Sequence, residues 1–278
     1  MLTYAQKQQY QRDGYIVLPG FKSAAEIATL RARAARIVNE FDPKGAGIFS
    51  TVEQEKTTDD YFLRSDNTVR CFFEEEACGP DGELKQDKSL SINKIGHAMH
   101  DLDPVFRAFT ADPRLVAVAR DLGLRDAKVW QSMYIFKQPG IGGEVRWHQD
   151  ATYFDTDPVS VTTFWFALED ATLDNGCMWA EPGGHRGPMR ERFLRNGDQV
   201  RMEKLSDMPW PDNSTAVPLP CKAGSLVVFH GLLPHYSAPN RSAVSRHAYT
   251  LHVTDGATTY SPQNWIQRDE RLPVRGFI

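Results

Sequence analysis

Two different patterns of apolar and polar residues follow one another along the chain. In the first 125 residues apolar positions recur at helical spacing, as in the run Ile27, Leu30, Ala34, Ile37 and Val38. From about residue 126 the pattern changes to short apolar runs separated by Gly and Pro. Short strands with such turns are typical of a sandwich or a barrel rather than a β-α-β fold. The pattern predicts flanking helices first and then a mainly β core.

Local signals refine these elements. Thr3-x-x-Gln6 and Ser23-x-x-Glu26 have the form of capping boxes, which mark helix starts. We expect helices over 3–12, from 23 to the turn at 42–45, over 101–110 and over 113–122. Residues 46–66 are polar and acidic and are expected to form a long functional or mobile loop. The expected strands cover 14–21, 129–136, 143–148, 159–168, 177–181, 225–230 and 246–253.

Composition limits the classes of function. The chain has 278 residues and a formal net charge of -4, which argues against a phosphate-backbone partner such as nucleic acid. No linker or repeat is evident, so we expect one domain over 1–278, with a helical part at about 1–125 and a β-core at about 126–278. No secretory signal or membrane span is evident, and the four cysteines have no metal or disulfide spacing. A cytoplasmic enzyme that acts on a small molecule, as a monomer or homodimer, is the expectation.

The first chemical signal is the pair His148 and Asp150. Residues two apart on a strand point to the same face, so this imidazole and this carboxylate would enter one cavity together. Two histidines and one carboxylate with open positions form the ligand set of non-haem Fe(II) oxygenases. The triplet alone is common in proteins, and the prediction depends on finding a second histidine and a partner for an acidic cosubstrate.

Both parts occur downstream. The segment 223–235 offers His230 and His235 as the second histidine. After Ser237 and a turn, Arg246 opens a new strand, and two antiparallel strands would place it beside the metal site and several ångströms deeper. The planar fork of an arginine matches a carboxylate with two parallel hydrogen bonds. This arrangement suits a metal chelated by one end of a diacid while Arg246 holds the other end.

With these residues in place, the chain resembles the phytanoyl-CoA dioxygenase (PhyH) family of Fe(II)/2-oxoglutarate oxygenases. The resemblance rests on His148-Gln-Asp150, on His235, and on Arg246 eleven positions later. It runs almost from end to end. Longer strings at 91–100, 131–138, 169–177 and 261–265 are similar to the branch called phytanoyl-CoA dioxygenase domain-containing protein 1.

The resemblance implies a double-stranded β-helix, that is, a cupin-like jelly roll with N-terminal flanking helices. It implies Fe(II), 2-oxoglutarate and O2 as cofactor and cosubstrates, and a dioxygenase that couples oxidative decarboxylation of 2-oxoglutarate to oxidation of a second substrate. Hydroxylation of a C–H bond, with release of succinate and CO2, is the expected outcome. Asp150 argues against halogenation, because that variant needs the carboxylate position vacant for halide.

The resemblance also assigns roles by position. The implied iron ligands, which are the catalytic residues, are His148, Asp150 and His235, and the implied clamp for 2-oxoglutarate is Arg246. Because Phe164, Phe166 and Leu168 alternate with it, Trp165 is expected on the opposite strand face, as a cavity-lining residue would be. The implied further cosubstrate contacts are Lys94, Met133, Trp165 and Ser237.

Several remaining features fit ordinary structural roles. The spacing from His230 to Arg246 does not fit the family, so His230 is interpreted as a packed or supporting histidine. Residues His97, His100, Asp101 and Asp103 are interpreted as a helix start, and no metal is assigned to them. Gly184 and Trp147 depart from the family pattern. Trp147 is expected to reshape the pocket.

The sequence does not identify the substrate. A mildly acidic chain without a cluster of Lys and Arg favours a small polar metabolite or a natural-product intermediate over an acyl-CoA, which stays the second candidate. Two more functions are compatible with the sequence, namely a non-catalytic relative that senses metal or 2-oxoglutarate, and hydroxylation of a protein side chain. Recognition and a lid are expected from the loop 46–66, Arg64, Arg70 and the basic stretch 186–201.

Overall fold

Helices cluster in the first 125 residues of the chain. The computed structural model describes residues 1–49, 60–80, 83–212 and 214–277, and within these ranges it contains six α-helices. Thr3 and Ser23 cap the first two through reciprocal bonds with Gln6 and Glu26, which confirms both capping boxes. The helices are α1 (Tyr4–Asp13), α2 (Ala24–Glu40), α3 (Asp60–Leu63), α4 (Met99–Leu102), α5 (Pro104–Thr110) and α6 (Pro113–Asp121).

The helix expected over 101–110 is wrong in one respect, because the chain forms two helices there. Pro104 restricts the preceding Asp103 to an extended backbone, with φ -105° and ψ 124°. The carboxylate of Asp103 then accepts hydrogen bonds from the amides of Val105 and Phe106, at 2.9 and 3.2 Å, and so caps the second helix. The break therefore lies at Asp103.

Strands occupy most of the rest of the described chain. They are β1 (Tyr15–Leu18), β2 (Ile48–Phe49), β3 (Val69–Glu74), β4 (Ile92–His97), β5 (Ala127–Ile135), β6 (Val145–His148), β7 (Thr156–Asp157), β8 (Thr162–Ala167), β9 (Met178–Ala180), β10 (Glu191–Asn196), β11 (Gln199–Lys204), β12 (Val217–Leu219), β13 (Leu226–His230), β14 (His235–Ser237), β15 (Ala248–Asp255) and β16 (Thr259–Tyr260).

Two sheets form the core. The larger one has the order β1-β13-β8-β15-β5-β4-β3-β2, and the smaller one has the order β12-β9-β14-β6. Every pair in the two sheets except β2 with β3 is antiparallel. The mainly β, jelly-roll architecture with N-terminal helices confirms the predicted fold class.

The large sheet is buried on both faces, and its strands show which side chains face which layer. On β8, Phe164 and Phe166 pack into the apolar cluster that includes the helices, whereas Trp165 packs into the cluster shared with the small sheet. Successive residues of a strand point to opposite faces, so the alternation around Trp165 is as predicted. The face that carries Trp165 also faces the candidate site.

The strand expected over 14–21 is confirmed as β1, whereas three more strands, β2 to β4, are not predicted in the helical first part of the chain. Strands β1 to β4 lie within the first 125 residues and extend the large sheet. Residues 46–66, expected as one loop, contain the strand β2 and the helix α3 at their ends, and residues 50–59 lie outside the described ranges. Within the described ranges, no helix is long and apolar enough to cross a membrane.

Candidate active site

The two predicted histidines meet across a pair of short strands. His148 is the last residue of β6, His235 is the first residue of β14, and the two residues are directly paired in the antiparallel ladder. Directly opposite residues on one sheet face have neighbouring side chains, and here the two imidazole centroids are 4.1 Å apart. Asp150 follows two residues after His148, in a single 3₁₀ turn that ends the strand. The strand pairing and the turn thus bring the three side chains together.

The three side chains present their ligand atoms to a common point. One donor atom from each of His148, Asp150 and His235 lies within 4.8 Å of the others. The Oδ1 atom of Asp150 is 3.5 Å from Nε2 of His148 and 3.6 Å from Nε2 of His235. This spacing suits three ligands on one face of a metal ion, with the opposite face open.

Each histidine is oriented by its second ring nitrogen. The Nδ1 atom of His148 lies 2.8 Å from the carbonyl of Arg146, and that of His235 lies 2.9 Å from the carbonyl of Leu233. A carbonyl can only accept, so Nδ1 carries the proton and Nε2 presents its lone pair beside Asp150. Both tautomers are therefore fixed in the form that binds a metal.

The carboxylate of Asp150 is fixed by contacts on the side away from the two histidines. Its Oδ2 accepts a hydrogen bond from the hydroxyl of Thr163 on β8, which leaves Oδ1 to face the histidines. The amide of Ala151 donates to the carbonyl of Gly231 at 2.9 Å. A Cβ on Gly231 would lie 2.1 Å from Cγ1 of Val161, so a larger residue would displace this support.

Charge and burial in the site favour an ionised Asp150 beside a neutral His235. Burial alone would raise the pKa of Asp150, but the neighbouring imidazoles of His235, His252 and His148 lower it well below its usual range. Burial, assisted by His148, lowers the pKa of His235 to about 4. At neutral pH the site is therefore ready to accept a cation without first releasing a proton from either group.

Arg246 lies beside Ser237 and Trp165, deep between the sheets. Its side chain is buried, and Nη2 is 3.4 Å from the Ser237 hydroxyl oxygen. Its guanidinium carbon is 5.3 Å from the ring centroid of Trp165. Two of its nitrogens, Nε and Nη1, have no hydrogen-bond partner among the described residues. A buried guanidinium with free donors has a strong requirement for an anionic partner.

Lys94 and Met133 lie at a different wall. They line a cavity of about 150 Å³ that also reaches His148 and Asp150, whereas Trp165, Ser237 and Arg246 are not among its described lining residues. The ammonium of Lys94 is 3.1 Å from the ring centroid of Phe49 and 4.0 Å from Sδ of Met133. Burial lowers the pKa of Lys94 well below its usual range. The predicted cosubstrate contacts thus form two groups, one in the cavity and one around Arg246.

Four polar residues around the site are not predicted by the sequence. Thr163 bonds to Asp150, and the Nε2 atom of His252 on β15 lies 3.4 Å from Oδ1 of Asp150. Gln131, His252 and His97 line the cavity. Strand alternation was the available signal for two of these residues, because Thr163 is two residues from Trp165 and Gln131 is two residues from Met133.

Two further residues singled out in the sequence lie away from the cavity. His230 packs near Tyr10 and His185, with ring centroids 6.2 and 5.1 Å away. The ring of Trp147 stacks on Tyr236 at 5.4 Å and is not among the described lining residues of the cavity, so the structure does not support the expected reshaping of the pocket.

The histidines interpreted as part of a helix start lie in two different elements of the structure. His97 ends β4 and lines the cavity, so its interpretation as part of a helix start is wrong. His100 is in α4, and its imidazole lies 2.9 Å from the Ser132 hydroxyl and 3.2 Å from both the Val129 carbonyl and Oδ2 of Asp101. The structure therefore separates one histidine of this group from the rest.

Comparison with known proteins agrees with this arrangement. The sequence model of the family described as phytanoyl-CoA dioxygenase (PhyH) matches residues 10–248. The chain belongs to this family. Among similar proteins, "Phytanoyl-CoA dioxygenase" from Arabidopsis thaliana is 47% identical over 268 residues, covering 96% of this chain and 94% of that protein. "Phytanoyl-CoA dioxygenase domain-containing protein 1" from Bos taurus is 44% identical over 282 residues, covering 98% and 97%.

Solved structures of low sequence identity share the fold. EctD from S. alaskensis, solved with 2-oxoglutarate and 5-hydroxyectoine, has a TM-score of 0.65 at 21% identity and covers 100% of this chain and 89% of its own. The epimerase SnoN from nogalamycin biosynthesis, in complex with Fe3+, alpha ketoglutarate and nogalamycin RO, has a TM-score of 0.65 at 18% identity, with 97% of each chain covered. As a PhyH-family member with this candidate metal site, the chain is an iron- and 2-oxoglutarate-dependent dioxygenase.

Proposed function

We propose that this dioxygenase hydroxylates a C–H bond of a small molecule, with His148, Asp150 and His235 as the iron ligands. The observation that carries the proposal is the convergence of these donors beside a cavity, with both imidazole tautomers fixed for metal binding. Two histidines and one carboxylate leave about three of six iron positions free for the cosubstrates.

Arg246 is proposed to bind the carboxylate of 2-oxoglutarate that is remote from the iron. Its two unpartnered nitrogens and its contact with Ser237 support this role, because a carboxylate would satisfy both donors. Trp165 is proposed to hold the guanidinium plane. Lys94 and Met133 are proposed as further cosubstrate contacts from the cavity side.

The protein contributes orientation and exclusion of water. With iron and 2-oxoglutarate bound, the site supplies O2 activation: one oxygen atom enters succinate, which is released with CO2, and the second becomes the new hydroxyl group of the substrate. The residues of this chain keep Asp150 ionised and hold the Nδ1 atom of each histidine on a backbone carbonyl, and they place the substrate against an apolar wall that includes Phe154 and Trp265.

The substrate is proposed to be a small metabolite or natural-product intermediate. The names of the relatives suggest an acyl-CoA as the second candidate. An acyl-CoA needs cations for its phosphates, but the cavity wall carries Glu74, Glu75 and Glu144 besides Arg146. The two lysines of the wall, Lys94 and Lys137, are buried, and burial lowers the pKa of each well below its usual range. This balance favours the small metabolite. Cytoplasmic location, the single domain and the oligomeric state stay predictions.

The test is a panel of metabolites that includes an acyl-CoA, scored by substrate-dependent succinate formation and by the mass of the oxidised product. We expect one class of compound to stimulate succinate release together with a gain of one oxygen atom. A panel in which products lose hydrogen without gaining oxygen would overturn hydroxylation, and stimulation by acyl-CoA alone would overturn the small-metabolite assignment.

Two histidines five residues apart provide a matched control. His235→Ala should abolish Fe(II) binding and succinate release, and Asp150→Ala should do the same. His230→Ala removes a histidine that packs near Tyr10 on another side of the core, and it should leave Fe(II) binding in place. Tight Fe(II) binding and normal turnover by the Asp150 or His235 variant would refute the ligand assignment.

A further inference from the structure

One wall of the cavity carries polar side chains that the proposed iron and 2-oxoglutarate sites do not use. His97 and Gln131 are both buried, with 0% and 4% of their surfaces exposed, and both line the cavity. The Nε2 atom of His97 has no hydrogen-bond partner in the described ranges. No hydrogen bond from the carboxamide of Gln131 to any described residue is present either. A buried polar atom without a partner is costly, so the Nε2 atom of His97 indicates a ligand, and Gln131 offers its carboxamide to the same cavity.

The hydrogen bonds behind His97 determine what its free nitrogen can do. The Ser65 hydroxyl oxygen lies 2.5 Å from the Phe62 carbonyl and 2.7 Å from Nδ1 of His97. A carbonyl cannot donate, so Ser65 gives its one proton to Phe62 and must accept from Nδ1–H of His97. Burial, followed by the charge of Lys94, lowers the pKa of His97 well below its usual range, so the ring is neutral. Its Nε2 atom is therefore an acceptor.

Gln131 lies on the strand next to the proposed iron site. It pairs directly with His252, whose Nε2 is 3.4 Å from Oδ1 of Asp150. His97 pairs with Ser132, the next residue along β5. A carboxamide both donates and accepts, so the two residues together offer one acceptor, Nε2 of His97, and one group that does either.

The surroundings of this pair are aromatic. The ring of Trp265 is 5.0 Å from that of His97 and 4.7 Å from that of Phe62, and Phe154 stacks on His252 at 4.8 Å. The cavity has a volume of about 150 Å³, which is the size that holds a benzene molecule, and this part of its wall is aromatic. The wall therefore fits a ligand that has an apolar part about the size of one aromatic ring and carries one polar group.

We propose that His97 and Gln131 form a substrate subsite that binds an alcohol hydroxyl, with the carbon skeleton packed on Phe62, Phe154 and Trp265. The hydroxyl donates to Nε2 of His97 and accepts from the carboxamide of Gln131. Because Gln131 is paired with His252 beside Asp150, the oxidised carbon lies within a few bonds of that hydroxyl. This inference rests on the proposed function, since it names the class of substrate for the same cavity.

Charged ligands fit the pair less well. A carboxylate has no proton to give and would place its lone pairs against that of His97. An ammonium can donate to Nε2 of His97 but has no lone pair to accept from Gln131, and it would lie near the positive charge of the proposed metal ion. A neutral group that both donates and accepts satisfies both residues.

Four probes with one shared ring test the subsite: benzyl alcohol, toluene, benzylamine and benzoate. Their affinities are measured by calorimetry on the protein loaded with Mn(II) and 2-oxoglutarate, which does not turn over, and again on the metal-free protein. We expect benzyl alcohol to bind about tenfold more tightly than toluene, as two modest hydrogen bonds would give. His97→Phe and Gln131→Met should each reduce this preference to about twofold or less, with toluene affinity kept.

Gln138→Met is the matched control. The carboxamide of Gln138 is also buried, but it donates to the carbonyls of Ser89 and Ile92, at 3.0 and 2.9 Å, and is not among the described lining residues of the cavity. This variant should lose stability and keep the preference for alcohol. If one of the two subsite variants does not fold, the preference for alcohol measured in the other variant decides whether the subsite exists.

Several outcomes would overturn the inference. These are equal affinity for toluene and alcohol, a preference for the amine or the acid, an unchanged preference in both subsite variants, and no binding of any probe. Failure of the proposed function looks different. In that case Mn(II) does not bind or His235→Ala still releases succinate, while the metal-free protein still reports the preference for alcohol.

Discussion

Replacement of Arg246 by methionine should have opposite effects on the free protein and on cosubstrate binding. In the free protein the guanidinium is buried beside Ser237 and Trp165, with two donors unpartnered among the described residues. Methionine removes the charge and keeps a long side chain in the same space. The variant should therefore fold at least as well as the parent and bind 2-oxoglutarate poorly.

The structure sets the size of both effects. Burial lowers the pKa of Arg246 from its usual 12.5 to about 10, which corresponds to a cost of roughly 3 kcal/mol for the charged form in the folded protein. Relief of part of this cost should raise the melting temperature by about 2 °C per kcal/mol in a chain of this length. Loss of one partner from a buried charge pair costs about 3–5 kcal/mol, so the dissociation constant of 2-oxoglutarate should rise at least a hundredfold.

Calorimetry on the parent and on Arg246→Met, each with and without Mn(II) and 2-oxoglutarate, measures both quantities. In the parent, 2-oxoglutarate should raise the melting temperature, and in the variant this increase should disappear while the ligand-free value is maintained or higher. Arg246→Lys is the useful second variant, because it keeps the charge but loses the planar fork. Stabilisation of Arg246→Met by 2-oxoglutarate to the same extent as the parent would refute the role of Arg246 in binding the cosubstrate.

Two further predictions concern the proposed iron end of the site, and a third concerns two buried histidines, one of them in the site. Thr163→Val removes the hydroxyl behind Asp150 and should weaken Mn(II) binding about 10- to 100-fold, and an unchanged affinity would show that this support is dispensable. Gly231→Ala should lower both stability and metal affinity, because its methyl group would lie 2.1 Å from a neighbouring side-chain carbon; normal melting and metal binding would contradict this. Burial lowers the pKa of His230 and of His235 to about 4, whereas unfolded histidine titrates near 6.5. Between pH 4 and pH 6.5 the unfolded chain therefore binds more protons than the folded one. The melting temperature of the metal-free protein should be highest above pH 6.5 and fall toward pH 4. A melting temperature that does not change over this pH range would contradict the prediction.

Much of the fold follows from local chemistry that the sequence displays. The capping boxes at Thr3 and Ser23 place two helix starts correctly, because each uses hydrogen bonds between residues three apart. The alternation around Trp165 identifies which strand face meets the small sheet. Such features depend on near neighbours, and a sequence shows near neighbours directly.

The parts that the sequence does not predict depend on pairings between distant segments. Strands β3 and β4 are missed, although Val69–Glu74 and Ile92–His97 extend the large sheet beyond β5. The sequence places His97 at a helix start because it precedes α4, and its contact with Ser65 cannot be deduced from spacing. These positions are determined by the pairing register between strands that are far apart in sequence. Neither residue propensity nor hydrophobic periodicity predicts that register.

The short strand β14 determines how far the proposed clamp, Arg246, lies from the proposed iron ligand His235. His235 and Ser237 are two residues apart on β14, both are buried, and Ser237 contacts Arg246. Two residues of a strand span about 7 Å, which is the scale of a five-carbon diacid. A ligand that chelates a metal beside His235 would thus have its far carboxylate near the free donors of Arg246. On the proposed assignment, the short strand would therefore set both the position of the second iron ligand and the length of the diacid that reaches from the iron to Arg246.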